Sequence, residues 1–191
     1  MKYLELIKGQ FTADHEARAK QEEPYVAYSE EADTVMYNFI PQPVVGPADN
    51  EIWYTSINGK VVAPYAADVF GANIVSNTYK DGKGVITFDG PVKSIGDGAF
   101  YSNAYLSSIT IPNSVTSIVA DAFCGCISLT SITIPNRVTS IGDRAFEECM
   151  KLTSITFEGT MEEWNDITKG DDWNYAIPAT YVQCTDGQVA L

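Results

Sequence analysis

One histidine, His15, and only 12 lysines and arginines stand among 191 residues, against 25 acids. With a single imidazole, any Ser-His-Asp or Cys-His device would have to use His15, and a zinc site is not expected. The net charge of −13 argues against nucleic-acid partners, because binding a phosphate backbone requires cations to replace its counterions. An anionic membrane surface is disfavoured for the same reason. No stretch approaches the ~20 apolar residues of a membrane span, so no membrane insertion is expected. Met1–Gln10 also lacks the apolar run of a secretory signal, so the chain is read as not exported by that route or as having lost a leader. Cys124, Cys126, Cys149 and Cys184 include no Cys-x-x-Cys pair and do not make a disulfide scaffold. Cys126 and Cys149 read as buried thiols on one interior column, bridged only if adjacent coils bring them within disulfide range. Asp81-Gly82-Lys83-Gly84 has neither EF-hand nor Walker spacing and reads as a plain turn; no cofactor is expected.

What the chain does have is repetition. Ile86–Ser108, Ile109–Ser131 and Ile132–Ser154 are three copies of one phrase at a period of 23 residues, and a fourth begins at Ile155. The second and third copies share 15 of 23 positions, which is too close for chance and marks a solenoid whose coils share a core. Within a copy, Ile132 and Ile134 alternate with Ser131 and Thr133 as in a strand with one buried face. Pro135 ends that strand, Val138 and Ile141 return inward, and Ala145-Phe146 suggest a short helical or 3₁₀ turn. The apolar positions stack in columns, such as Ile86/Ile109/Ile132/Ile155 and Phe100/Phe123/Phe146. Continuing the period places Met161 in the valine column and Trp164 in the column of Ile141, as enlarged residues of a sealing cap. Gly96 and Gly142 correspond to Val119, so that position is read as not needing positive φ, and the two glycines as conveniences.

The phrase Leu-Thr-Ser-Ile-Thr-Ile-Pro-Asn-x-Val-Thr-Ser-Ile-Gly-Asp-x-Ala-Phe, as it stands at Leu129–Phe146, resembles the BspA-type leucine-rich repeat of gut and mouth bacteria, Bacteroides relatives among them. The resemblance implies a right-handed solenoid with a parallel β-sheet on its concave face and short helical or 3₁₀ turns opposite. It also implies adhesion or recognition at the cell surface or outside the cell, with host extracellular matrix as a partner, since the family's namesake is an adhesin for matrix proteins.

Four parts are expected. Residues 1–50 form an appendage, with a short helix over Phe11–Glu23, a hairpin of Tyr25–Ser29 with Thr34–Ile40, and a Pro-rich linker from Pro41 to Pro47. Residues 51–84 form a β-rich cap with a hairpin over Glu51–Ala63 turning at Asn58-Gly59, and a second hairpin joins Ala72–Tyr79 to Val85–Phe88. Residues 85–159 are the repeats and residues 160–191 a C-terminal cap. Charge is uneven: residues 1–51 carry a net −6, residues 52–154 −1 and residues 155–191 −6.

No catalytic set emerges, and the chain reads as a non-enzyme. Glu162/Glu163 and Asp171/Asp172 read as solvated charge on the cap, and Trp164 and Trp173 as buried within it. The candidate binding surface is the outward face of the sheet: Thr87, Thr110, Thr133 and Thr156, with Ser108, Ser131 and Ser154 beside them. Four strands give a strip ~15 Å long, small against the ~800 Å² that a stable interface buries per partner. The partner, protein or glycan, is left open. The alternative to a recognition module is a structural or assembly component of a phage or cell-surface appendage.

Overall fold

The computed structural model describes residues 46–191 and, before them, the strands Tyr25–Ser29 (β1) and Thr34–Asn38 (β2). β1 and β2 pair antiparallel, Tyr25 opposite Asn38 and Ser29 opposite Thr34, and belong to a compact unit separate from Gly46–Leu191. The expected helix over Phe11–Glu23 and most of the linker lie outside the described residues.

Each coil of the repeat crosses two ladders. The first runs through β7 (Leu106–Thr110), β9 (Ser131–Ile134), β11 (Ser154–Phe157) and β13 (Tyr181–Gln183), all parallel. Ile109, Ile132 and Ile155 fall in register and are buried, as their alternation with polar residues requires. The second joins the two-residue strands β6 (Ser94–Ile95), β8 (Ser117–Ile118), β10 (Ser140–Ile141) and β12 (Thr168–Lys169). The protein is a β-solenoid of about four turns with little helix.

Between the ladders the turns are tied coil to coil by backbone bonds, such as Phe100 N to Ala122 O and Phe123 N to Ala145 O, both 2.8 Å. These turns are not helical. Two residues per coil adopt left-handed φ instead: Gly98, Asp121, Arg144 and Asp172 in one column, Ser102, Gly125, Glu148 and Ala176 in the other. Gly96 and Gly142 do not adopt positive φ, as expected, but they are more than conveniences. A Cβ on Gly142 would strike the backbone of Val119 and Ala120, and one on Gly96 would strike Val69.

The core is the stacked columns themselves. Phe100, Phe123 and Phe146 stack face to face at 5.4 and 5.2 Å, and Phe70 and Trp173 close the two ends of the stack edge-on. The free thiols of Cys126 and Cys149 donate to Phe100 O (3.0 Å) and Phe123 O (3.1 Å), equivalent bonds one coil apart. Each thiol is a second donor to a turn carbonyl that already accepts a backbone N–H, from Asn103 at 3.1 Å and from Cys126 at 3.0 Å, so the buried S–H is itself satisfied.

The caps depart from expectation in two places. β3 (Glu51–Ser56) does not fold back on Val61-Val62 as a hairpin. It lies antiparallel between β5 (Lys83–Phe88) and β7, so both its edges are already occupied. The turn at Asn58-Gly59 forms (Gly59 φ 67°), but Val62 then packs inward with its N–H on the Tyr54 hydroxyl (3.2 Å). Gly84, opposite Tyr54, leaves the space that the tyrosine ring fills. The second expected hairpin is present: β4 (Ile74–Lys80) joins β5 through Asp81-Gly82, both at positive φ.

The main sheet therefore has eight strands, in the order β14 (Gln188–Ala190), β13, β11, β9, β7, β3, β5, β4. At the C-terminal end, helix α1 (Met161–Asp166) is inserted, with Thr160 and Glu163 forming a reciprocal capping box. That insertion shifts the register. The partner of Ile141 is Lys169 and not Trp164, which is buried under the sheet edge against Phe157 and Trp173.

Candidate functional site

The outward face of the main sheet is built by alternation. Ile52, Tyr54, Ile109, Ile132 and Ile155 point in, so Trp53, Thr55, Thr110, Thr133 and Thr156 point out. Pairing aligns Trp53, Thr110, Thr133, Thr156, Gln183 and Gln188 in one row across six strands. A second row runs through Thr55, Ser108, Ser131 and Ser154. Six of the seven expected face residues are thus brought together. Thr87 is not: it pairs with Glu51 and Ser76, and β3 separates it from Thr110. Eight strands at ~4.8 Å make a face ~34 Å across, more than twice the expected strip.

Trp53 is the one large aromatic in the threonine row. Its indole N–H donates to Glu51 Oε2 at 2.8 Å, and the Lys83 ammonium lies 2.9 Å from its ring centroid. Both contacts fix the ring against the sheet, and the cation–π contact covers part of its face. The serine row is tied at one end, where the Thr55 hydroxyl lies 2.6 Å from that of Ser108 and 2.8 Å from that of Ser107. Ser107 is the extra residue of a bulge that shifts the register of β3 on β7.

A second cluster sits on the turns. Arg144 Nε and Nη2 donate to the two carboxylate oxygens of Asp121 at 2.9 and 2.8 Å, and Nε lies 3.7 Å from Glu147 Oε2. The Cys124 thiol donates to that same Glu147 oxygen at 3.8 Å. Burial, followed by the neighbouring carboxylates, pushes the thiol up to about 11. Donor atoms of Asp121, Cys124 and Glu147 lie within 4.8 Å of one another, a spacing that a cation could bridge. Arg144 already supplies the positive charge there and the thiol stays protonated at neutral pH, so the arrangement works as an ion-pair network. These residues were readable in the sequence and were missed: Gly98/Asp121/Arg144 and Tyr101/Cys124/Glu147 are columns at the repeat period. They lie in the turns, outside the strand columns that carry the sheet face.

The acidic pairs in the C-terminal cap do not converge on chemistry. Glu163 serves the capping box, while Asp172 occupies a left-handed turn position.

Residues 85–168 match the model of the BspA type leucine rich repeat region (6 copies). They form a BspA-type leucine-rich repeat region. This chain is similar to a leucine rich cell surface protein from Faecalibacterium prausnitzii A2-165, at 37% identity over 41% of this chain and 21% of that one, with a TM-score of 0.40. The chain thus spans about a fifth of that protein. No curated protein matches it. Among the described residues, no helix is long and apolar enough to cross a membrane.

Proposed function

We propose that this protein is a non-catalytic recognition module of the cell surface, and that the outward face of its main sheet docks a protein partner such as an extracellular-matrix protein. The observation that carries this reading is the single row from Trp53 through Thr110, Thr133 and Thr156 to Gln183 and Gln188. The short threonine side chains of this rigid sheet lose little rotamer entropy on docking, and Gln183 and Gln188 are already restrained by a mutual hydrogen bond of 3.0 Å. A fixed tryptophan supplies the kind of aromatic anchor that dominates interface energetics. The repeat region's resemblance to adhesin repeats supports the surface role. The test is binding of the intact protein to immobilised matrix proteins by surface plasmon resonance. The double variant Thr110→Lys/Thr133→Lys should abolish a genuine signal, and affinity retained in that variant would rule the face out.

A second reading, an assembly component of a larger surface structure, is favoured by one feature. β4 ends the sheet with an edge that no other described strand covers, and its Val75 is 66% exposed. Light scattering decides it: a monomer at all concentrations counts against assembly through this edge.

A further inference from the structure

The turns carry a groove that the sheet face does not explain. It has a volume of about 590 Å³ and crosses three successive coils, with Tyr101 from one, Asp121 and Cys124 from the next, and Arg144 and Glu147 from the third. Tyr65 forms its wall and is pinned there by its own N–H on Ala99 O at 2.8 Å. A second depression of about 430 Å³, reaching Asn103 and Tyr105, lies against the same two tyrosines and extends the groove. Tyr65 and Tyr101 meet edge to face with centroids 6.0 Å apart, and they are 77% and 43% exposed. Phe100, Phe123 and Phe146 are buried in a stacked column, whereas these two rings stand in solvent side by side, next to fixed polar groups.

We propose that this groove binds a neutral oligosaccharide. The volume falls in the range of ligand sites, which combine aromatic walls with a few placed polar groups. A sugar ring offers a C–H face to an aromatic ring and hydroxyls that both donate and accept around its edge. The groove provides both partners. Arg144 commits Nε and Nη2 to Asp121, leaving the Nη1 hydrogens as donors, while Asp97, Asp121 and Glu147 retain acceptor lone pairs.

Charge selects among occupants. Three acids and one arginine give the groove −2, within a chain of −13, so polyanionic glycans and nucleic acids are repelled. A cationic peptide would have to compete with Arg144 for Asp121, whose two oxygens are already held in a bidentate pair. An uncharged polyol pays neither penalty. The site is independent of the sheet face, and it spans coils because its columns repeat with the solenoid.

The test is calorimetric titration of the intact protein with cellohexaose, xylohexaose, mannohexaose and maltoheptaose, with hexalysine and heparin as charged controls. At least one neutral sugar should bind. The double variant Tyr65→Ala/Tyr101→Ala should lose about tenfold or more in affinity, the effect of roughly 1.4 kcal/mol. Both side chains are exposed, and circular dichroism melts check that the variant folds. Thr110→Lys/Thr133→Lys should leave sugar binding intact, which separates this site from the sheet. Binding to none of the four sugars, an unchanged affinity in the tyrosine variant, or binding of hexalysine alone would overturn the proposal.

Discussion

Trp53 lies directly across from Thr110 in an antiparallel pair, a strand from the N-terminal cap laid against the first parallel strand of the solenoid. The pairing ends the parallel ladder without exposing its edge and carries the polar face beyond the repeats. The inward side continues as well, with Ile52 and Tyr54 extending the column of Ile109. A cap built this way seals the core and enlarges the surface with the same six residues.

The C-terminal end is closed differently, and Lys169 is central to it. Its ammonium donates to Trp164 O at 2.7 Å and Ile167 O at 3.0 Å, and lies 4.7 Å from the Trp164 ring. Helix α1 has no basic residue in its own last turn. Lys169 brings a charged donor from the neighbouring strand to Trp164 O, which also accepts the Ile167 N–H at 3.3 Å, and to the carbonyl of the C-cap Ile167. Lys169→Met should destabilise the protein by about 2 kcal/mol, the range for charged hydrogen bonds. Urea denaturation gives the value, and a loss below about 0.5 kcal/mol would mean that solvent already satisfies those carbonyls.

The left-handed columns predict a stabilising change. Gly125 occupies one such position (φ 70°), whereas Glu148 holds the equivalent site one coil on at φ 57°. A non-glycine residue there costs about 1–2 kcal/mol, partly offset by the greater freedom of an unfolded glycine. Glu148→Gly should therefore raise stability by up to about 1 kcal/mol while keeping its N–H on Tyr175 O. The reverse change, Gly125→Ala, should lower it. A thermal melt in which both changes destabilise equally would show that φ is not the controlling factor.

Much of this was legible in the sequence because stacking forces identical positions into register. The columns Ile109/Ile132/Ile155 and Phe100/Phe123/Phe146 needed only the period. The second ladder was obscured because two residues per coil, such as Ser117-Ile118, are too short to show alternation. The place of β3 was illegible for another reason. Its in-out pattern is the same whether the neighbour is a hairpin partner or a strand fifty residues away, and the Asn-Gly turn pointed to the wrong one. The shift from Trp164 to Lys169 came from an inserted helix, which a fixed period cannot anticipate. The turn groove was available in the columns of Tyr101 and Asp121, but its wall, Tyr65, lies outside the repeats.

Alkaline pH should weaken the fold through its thiols. Burial pushes Cys126 up to about 12 and Cys149 up as well, while in the unfolded chain a thiol ionises near 9. The folded values are the higher ones, so this stability is complete below about pH 9 and is lost as pH rises toward the folded values. Above about pH 9, the advantage of the wild type over Cys126→Ala should shrink by about 1.4 kcal/mol per pH unit. Denaturant midpoints across that window measure it, and a constant gap would place Cys126 in contact with water.

Both the width of the proposed binding face and the position of its tryptophan depend on β3 lying between β5 and β7. Cysteine trapping tests this directly. Thr55 and Ser108 are paired, with hydroxyls 2.6 Å apart, so Thr55→Cys/Ser108→Cys should oxidise rapidly to a disulfide found by peptide mass spectrometry. Thr87→Cys/Thr110→Cys should remain reduced, because a strand lies between them. Cross-linking of the second pair and not the first would place β5 against β7, shorten the face and remove Trp53 from its row.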